Sequence, residues 1–306
     1  MPLLGLGLYN GYRGERFLRN RIKIIKQFVV PSLLNQTNKN FTLWISVRHE
    51  DKRNKQIQEL KEYFDAIKDF KTIFTFHGLC FYDDKYEPKE ARNRLLGSLH
   101  DSIGDILDTI GEVDYVYMTI QPSDDIYHRN AVMGIQTIFR KTNLQAFGFS
   151  RGYIMNYLTK EIAEYNPNTN PPFYTIKFPR DIFTDPLKHA EFTSLKKDVG
   201  QYKKGTPLPS HEYVGDCLNY GTIKERGFIV GIHQDNISTT FNHPFRGEMV
   251  DKEVLKDFGL YDVPVLKLKL SIRKWLFMKL PHKVQKKLRY IFGEKIWQKL
   301  YNFIRS

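Results

Sequence analysis

The sequence predicts an α/β chain with a mostly parallel central sheet flanked by helices. Three observations lead there. Through roughly the first 140 residues, apolar runs of strand length alternate with stretches of helical periodicity. Several of those runs are apolar almost throughout, as strands covered on both faces are. After Gln145 the rhythm changes to short β segments with proline-rich breaks such as "YNPNTNPP", which predicts a small antiparallel addition to the sheet.

Each element has its own signature. "LLGLGLY" (Leu3 to Tyr9) reads as a first strand running into a loop. Phe17 to Leu34 is a helix, with Ile22, Ile25, Phe28, Val29 and Leu33 at helical spacing and Pro31 near its end. "NQTNKN" is a polar turn, and "FTLWISV" (Phe41 to Val47) is a buried strand. Lys55 to Ile67 is an amphipathic helix through Ile57, Leu60, Phe64 and Ile67, and "KTIFTFHG" is a third strand. Pro88 suits the first turn of a long helix reaching Ile110. "DYVYMTI" is the fourth strand, His128 to Arg140 a further helix, and "GFIVGIH" (Gly227 to His233) a last strand.

Composition narrows the class. The 306 residues are enough for one large α/β domain with an appendage, and 22 Phe and 18 Tyr provide for a sizeable core. The two cysteines, Cys80 and Cys217, make neither a disulfide framework nor a zinc motif and suit a reducing compartment. "MPLLGLGLYN" lacks a basic n-region, and no apolar run reaches the ~18 residues of a membrane span. A cytoplasmic chain is expected.

The net charge of +13 is concentrated at one end. Lys267 to Ser306 holds nine Lys, three Arg and one Glu, a net +11, which leaves +2 for the rest. Two domains are therefore expected, a catalytic body over 1–266 and a basic amphipathic helical tail over 267–306. A nearly neutral body argues against a nucleic-acid groove. In the tail, Ile296, Trp297, Leu300, Tyr301 and Ile304 share one helical face among the lysines. Such segments suit an anionic membrane surface, and the alternative is an apolar face packed back on the body. Peripheral attachment at the inner face of a membrane is the expected location.

The stretch that carries chemistry is "VDYVYMTIQPSDDIYH", where an apolar strand stops at Asp124 and Asp125. Ligands of open α/β sheets bind at the carboxyl ends of strands. Adjacent carboxylates there either hold a hard cation, Mn²⁺ or Mg²⁺, or cap the helix that comes next. Upstream, "KEARNRLLGSL" places Arg92 and Asn93 early in the long helix. An "ARN" helix, a strand and then an aspartate pair resembles the family-2-like glycosyltransferases of the GT-A fold, a Rossmann-like architecture. "FVVPSLLNQTNKNFTLWISV" is similar to the helix, turn and second strand of the rhamnosyltransferase group within that fold.

The resemblance implies a metal-dependent transfer of a sugar from a nucleoside-diphosphate donor (UDP-, dTDP- or GDP-linked) to a glycan or lipid-linked acceptor. Arg92 and Asn93 would border the diphosphate. Asp124 and Asp125 would hold the metal with Ser123 in the place of a first aspartate, and His233 either adds a ligand or is a hydrogen-bonded structural histidine. Tyr9, Asn10, Arg48 and Glu50 would contact nucleobase and ribose. The base that deprotonates the acceptor is sought among His211, Glu212 and Asp216, of which Glu212 and Asp216 share a helix face at i, i+4. Two other readings remain open: a metal-dependent nuclease or phosphohydrolase, and a non-catalytic membrane-binding module on a degenerate transferase fold.

Overall fold

The computed structural model describes residues 1–3, 15–78, 88–233, 241–262, 266 and 290–291. Beyond Leu3, the first predicted strand lies outside these residues, and so does nearly all of the basic tail. The chain is a mixed α/β fold with two sheets. No helix among the described residues is long and apolar enough to cross a membrane.

The first helical stretch is continuous but not uniform. α1 (Glu15–Ile24) passes through a π-helical turn (Ile25–Val29) into α2 (Val30–Leu34). Pro31 has no amide hydrogen and its ring crowds the carbonyl four residues back, so a widened turn ahead of it relieves that clash. Leu18, Ile24, Ile25, Phe28, Val29 and Leu33 bury one stripe of this helix.

β1 (Thr42–Arg48) pairs in parallel with β2 (Lys71–Gly78), with α3 (Lys55–Asp65) as the crossover. α3 is capped by Asn54, whose side chain accepts from the Gln56 N–H. Its Ile57, Leu60 and Phe64 are fully buried against the sheet. α4 (Pro88–Ile110) comes next, then β3 (Tyr115–Thr119), the two-residue β4 (Ile126–Tyr127) and α5 (Ala131–Lys141).

The second sheet departs from the mostly parallel expectation. β5 (Ala146–Asn156), β6 (Ile162–Tyr165), β7 (Tyr174–Pro179), β8 (Tyr220–Ile232) and β9 (Arg246–Met249) join β3 and β4 in one seven-stranded sheet. Its β3–β7, β4–β8, β5–β6, β5–β7 and β6–β9 pairings are antiparallel, and β5–β8 is parallel. β7 is the reason. It returns through a loop rather than a helical crossover, and wedges antiparallel between β3 and β5. The two sheets stay separate, and a cavity of about 960 Å³ lies between β1 and β3, lined by Trp44, Ile73, Ile106, Val116 and Met118.

The strand directions decide where a ligand can sit. β3 and β5 both run antiparallel to β7, so β3, β5 and β8 all point the same way. β5 and β8 end together, at Asn156 and Ile232, whereas β3 stops at Thr119, level with Phe147 near the start of β5, and the chain beyond it runs on toward the shared end of β5 and β8.

The "PSLLNQTN" segment clamps the chain just past the aspartates. Ser32 Oγ donates to the Tyr127 carbonyl (2.8 Å), and Gln36 Nε2 to that of His128 (2.9 Å). Gln36 Oε1 accepts from the Val132 N–H, the Thr37 N–H donates to the Arg129 carbonyl, and Asn38 donates to Gln136. Ser32 and Gln36 are buried, so losing either of their bonds leaves a desolvated group unpaired.

Candidate active site

Asp124 and Asp125 lie in the turn between β3 and β4, beside the shared carboxyl end of β5 and β8. The residues immediately after them form a strand: Ile126 pairs with Ile229 and Tyr127 with Phe228. The helix beyond begins at Ala131 with Asn130 at its cap position, so the pair does not cap it.

The two carboxylates have opposite surroundings. Asp125 is buried, and its Oδ1 accepts the Gly231 N–H at 2.8 Å, while Gln121 Nε2 donates to its carbonyl at 2.9 Å. Burial, and then the Asp124 charge beside it, push the Asp125 carboxyl well above the usual range. Asp124 keeps 19% of its side chain exposed. Its Oδ2 lies 2.5 Å from Arg21 Nη1 and 3.0 Å from His233 Nε2. Burial by itself would raise its carboxyl, but Arg21 and His233 outweigh that and hold it well below the usual range. A carboxylate only accepts, so Nε2 carries the His233 hydrogen.

Three elements lock this cluster from behind. Arg21 comes from α1, with its guanidinium 5.1 Å from the Phe17 ring centroid. From the π turn, Phe28 stacks on Tyr157 at 3.7 Å, and the Tyr157 hydroxyl donates to the Asp124 carbonyl at 2.8 Å. Tyr157 stands just past the end of β5, and its N–H donates to the Ile232 carbonyl. Gly231 of β8 admits this approach only because it has no side chain: a Cβ there would lie 2.3 Å from the Asp124 carbonyl oxygen and 2.4 Å from the Tyr157 ring.

Other expected site residues fall elsewhere. Tyr9 and Asn10 lie outside the described residues. Arg92 and Asn93 lie near the start of α4, and nothing is described of their side chains. Ser123 is half-buried in the turn itself. At the end of β1, Arg48 is buried and committed to Asp51 through Nε (2.6 Å) and Nη2 (2.5 Å), whereas Glu50 is exposed.

His211, Glu212 and Asp216 are not brought to the cluster. They occupy a 3₁₀ turn (His211–Tyr213) and a short helix (Val214–Cys217), just before β8 begins. The cluster sits at the far end of that strand, and eleven residues at ~3.3 Å each separate Tyr220 from Gly231, roughly 30 Å allowing for bulges. Asp216 pairs with Lys197 at 3.4 Å, and His211 Nδ1 contacts the Asn170 carbonyl. A base must reach its proton within about 3 Å, so these residues cannot serve a reaction at Asp124.

Arg21, Tyr157 and Gly231 complete the site without having been expected. Arg21 left a trace in the sequence. Leu18, Arg21, Ile25 and Phe28 are spaced three, four and three apart, so a basic residue stands on the apolar stripe of the helix.

The geometry also tests the expected cation. Asp125 directs Oδ1 to a backbone amide, and Asp124 Oδ2 already carries a guanidinium and an imidazole. Pro122, two residues before Asp124, has no side-chain ligand atom. Among the described residues, no three His, Cys, Asp or Glu side chains are grouped to hold a metal. As built, this donor set does not fit Mn²⁺ or Mg²⁺ between Asp124 and Asp125.

No family model matches the chain, and no curated protein matches it. Among solved structures it is similar to S. aureus TarS 1–349 in complex with UDP-GlcNAc, at 13% identity and a TM-score of 0.39, covering 70% of this chain and 56% of that one. It is also similar to S. aureus TarS 1–349 in a second structure, at 13% identity and a TM-score of 0.36, covering 69% and 58%. The chain thus spans a little over half the length of these neighbours.

Proposed function

We propose that this chain is a glycosyltransferase that binds a nucleoside-diphosphate sugar at the shared carboxyl end of β5 and β8 and passes the sugar to a hydroxyl of a glycan or lipid-linked acceptor. The observation that carries the reading is the Arg21–Asp124–His233 cluster at that end. The resemblance of the "ARN" helix and of the "PSLLNQ" segment to transferase sequences supports it, and the second of these clamps the chain just past Asp124 and Asp125.

The roles come from the chemistry. Sugar transfer leaves a diphosphate whose growing negative charge needs cationic, N–H-rich partners, which arginine supplies in a planar fork. Arg92, near the start of α4, is assigned to that charge. Arg21 and His233 fix the Asp124 carboxylate in one orientation, and its exposed part accepts a hydrogen bond from a hydroxyl of the donor. In a thermal-shift titration with UDP, dTDP and GDP, each in EDTA and in Mn²⁺, one diphosphate is expected to raise Tm; a ligand at 100 times its Kd contributes ~2.7 kcal/mol. No response to any of the three under either condition would sink the reading.

The basic segment 267–306 supports an acceptor presented at a bilayer, since each basic residue near an anionic surface contributes on the order of 1 kcal/mol. The full chain is expected to co-sediment with phosphatidylserine-containing vesicles at low salt, and a chain ending at residue 266 to stay in the supernatant. Equal sedimentation of both would remove the tail from the binding.

A further inference from the structure

We propose that Arg21 is the resident cation of this site and that it keeps divalent metal ions off Asp124. The proposed donor site is the setting, and the geometry of the cluster carries the inference.

A divalent ion at this turn needs open carboxylate oxygens and a surplus of negative charge. The cluster offers only the exposed part of Asp124, and no surplus of charge. Asp125 is 8% exposed and turned inward onto the Gly231 N–H. The Asp124 oxygen that faces the cluster is occupied by Arg21 Nη1 at 2.5 Å and His233 Nε2 at 3.0 Å, so its charge is already balanced. A metal ion entering beside it would sit against a guanidinium fixed at contact distance.

Arg21 is also poorly placed to step aside. Its side chain is 7% exposed, it lies over the Phe17 ring, and its helix is pinned by the buried Leu18 and Ile24. A swing into solvent would strip the guanidinium of Asp124 and open a void behind it. An arginine in this position does permanently what a metal ion does on binding: it neutralises and orients Asp124. It also brings no exchangeable ligand sites, so the site needs no metal supply. Arg21 is thus a positioning residue, acting through Asp124.

The test is Mn²⁺ titration of the full chain without nucleotide, monitored by the loss of the free Mn²⁺ EPR signal. The wild-type chain is expected to show no stoichiometric site. Arg21→Met is expected to gain one, at least ~10-fold tighter than any wild-type binding, and Arg21→Met/Asp124→Asn to lose it again. Arg21→Lys, which keeps the charge, should exclude Mn²⁺ as the wild type does. If Arg21→Met does not fold, Arg21→Gln carries the same arm, because it removes the charge and keeps a polar side chain at the position.

A merely structural Arg21 would lower stability in these variants without creating a metal site. An Asp124-dependent Mn²⁺ site in the wild type overturns the proposal, and so does a folded neutral variant that gains none. The readout contains no nucleotide. A silent diphosphate panel would therefore sink the transferase reading and leave this inference standing, and a wild-type Mn²⁺ site with a responsive panel would do the reverse.

Discussion

Asp124→Ala is expected to lower the stability of the chain by about 3–5 kcal/mol, the usual penalty for leaving a buried ion-pair partner without its counter-charge. Arg21 would remain in the interior with its side chain 7% exposed and without the carboxylate that lies 2.5 Å from it. In a domain of this size such a loss lowers Tm by roughly 10 °C. The double variant Arg21→Met/Asp124→Ala removes both charges, and should recover much of the loss despite carrying one substitution more. Asp125→Asn is the contrast. It keeps an oxygen for the Gly231 N–H and removes a charge that burial disfavours, so its effect should stay under ~1 kcal/mol. Urea unfolding of the four chains decides the matter. An Asp124→Ala chain as stable as the wild type would mean that Arg21 and Asp124 do not pair in solution.

The second large effect lies away from the site and concerns pH. His189, in the helix Pro186–Phe192, is buried against Phe178 and Phe183, with ring centroids 4.2 and 5.7 Å away. Burial pushes its imidazole down to about 4, and a hydrogen bond with the Phe183 backbone offsets only part of that. The unfolded chain has the ordinary value near 6.5, so between pH 6.5 and 4 the unfolded state binds more protons. The contribution of neutral His189 is therefore fully present above pH 6.5 and is lost as pH falls toward 4, about 3 kcal/mol in all. His189→Phe keeps an aromatic ring beside Phe178 and cannot titrate. Its stability should fall less steeply than that of the wild type across this window, as read from urea midpoints at each pH. Parallel curves for the two chains would mean that His189 is hydrated in the folded state.

Much of the fold was legible in the amino-acid order, because local periodicity reports which face of an element is buried. The helix running through Phe17 to Leu34, the strands at Phe41 and Lys71, the long helix from Pro88 to Ile110 and the strand at Tyr115 all lie where their apolar spacing puts them. The acidic turn at a strand's carboxyl end was legible for the same reason: the apolar run stops where the aspartates begin.

Pairing across the chain was not legible. Nothing local says that β7 inserts antiparallel between β3 and β5, since the choice depends on how a loop rather than a helix closes the return. The spacing of Glu212 and Asp216 promised a shared face but could not say at which end of β8 that face would lie. Arg21 stood on the apolar stripe of its helix, yet its partner is 103 positions away and meets it only once the turn after β3 reaches the shared end of β5 and β8. The sequence alone determined which residues face inward and that two carboxylates stand at a strand's end. Only the tertiary structure decided that one of them meets an arginine and the other a backbone amide, because charge partners are chosen by the packing of distant elements and leave no periodic mark on the chain.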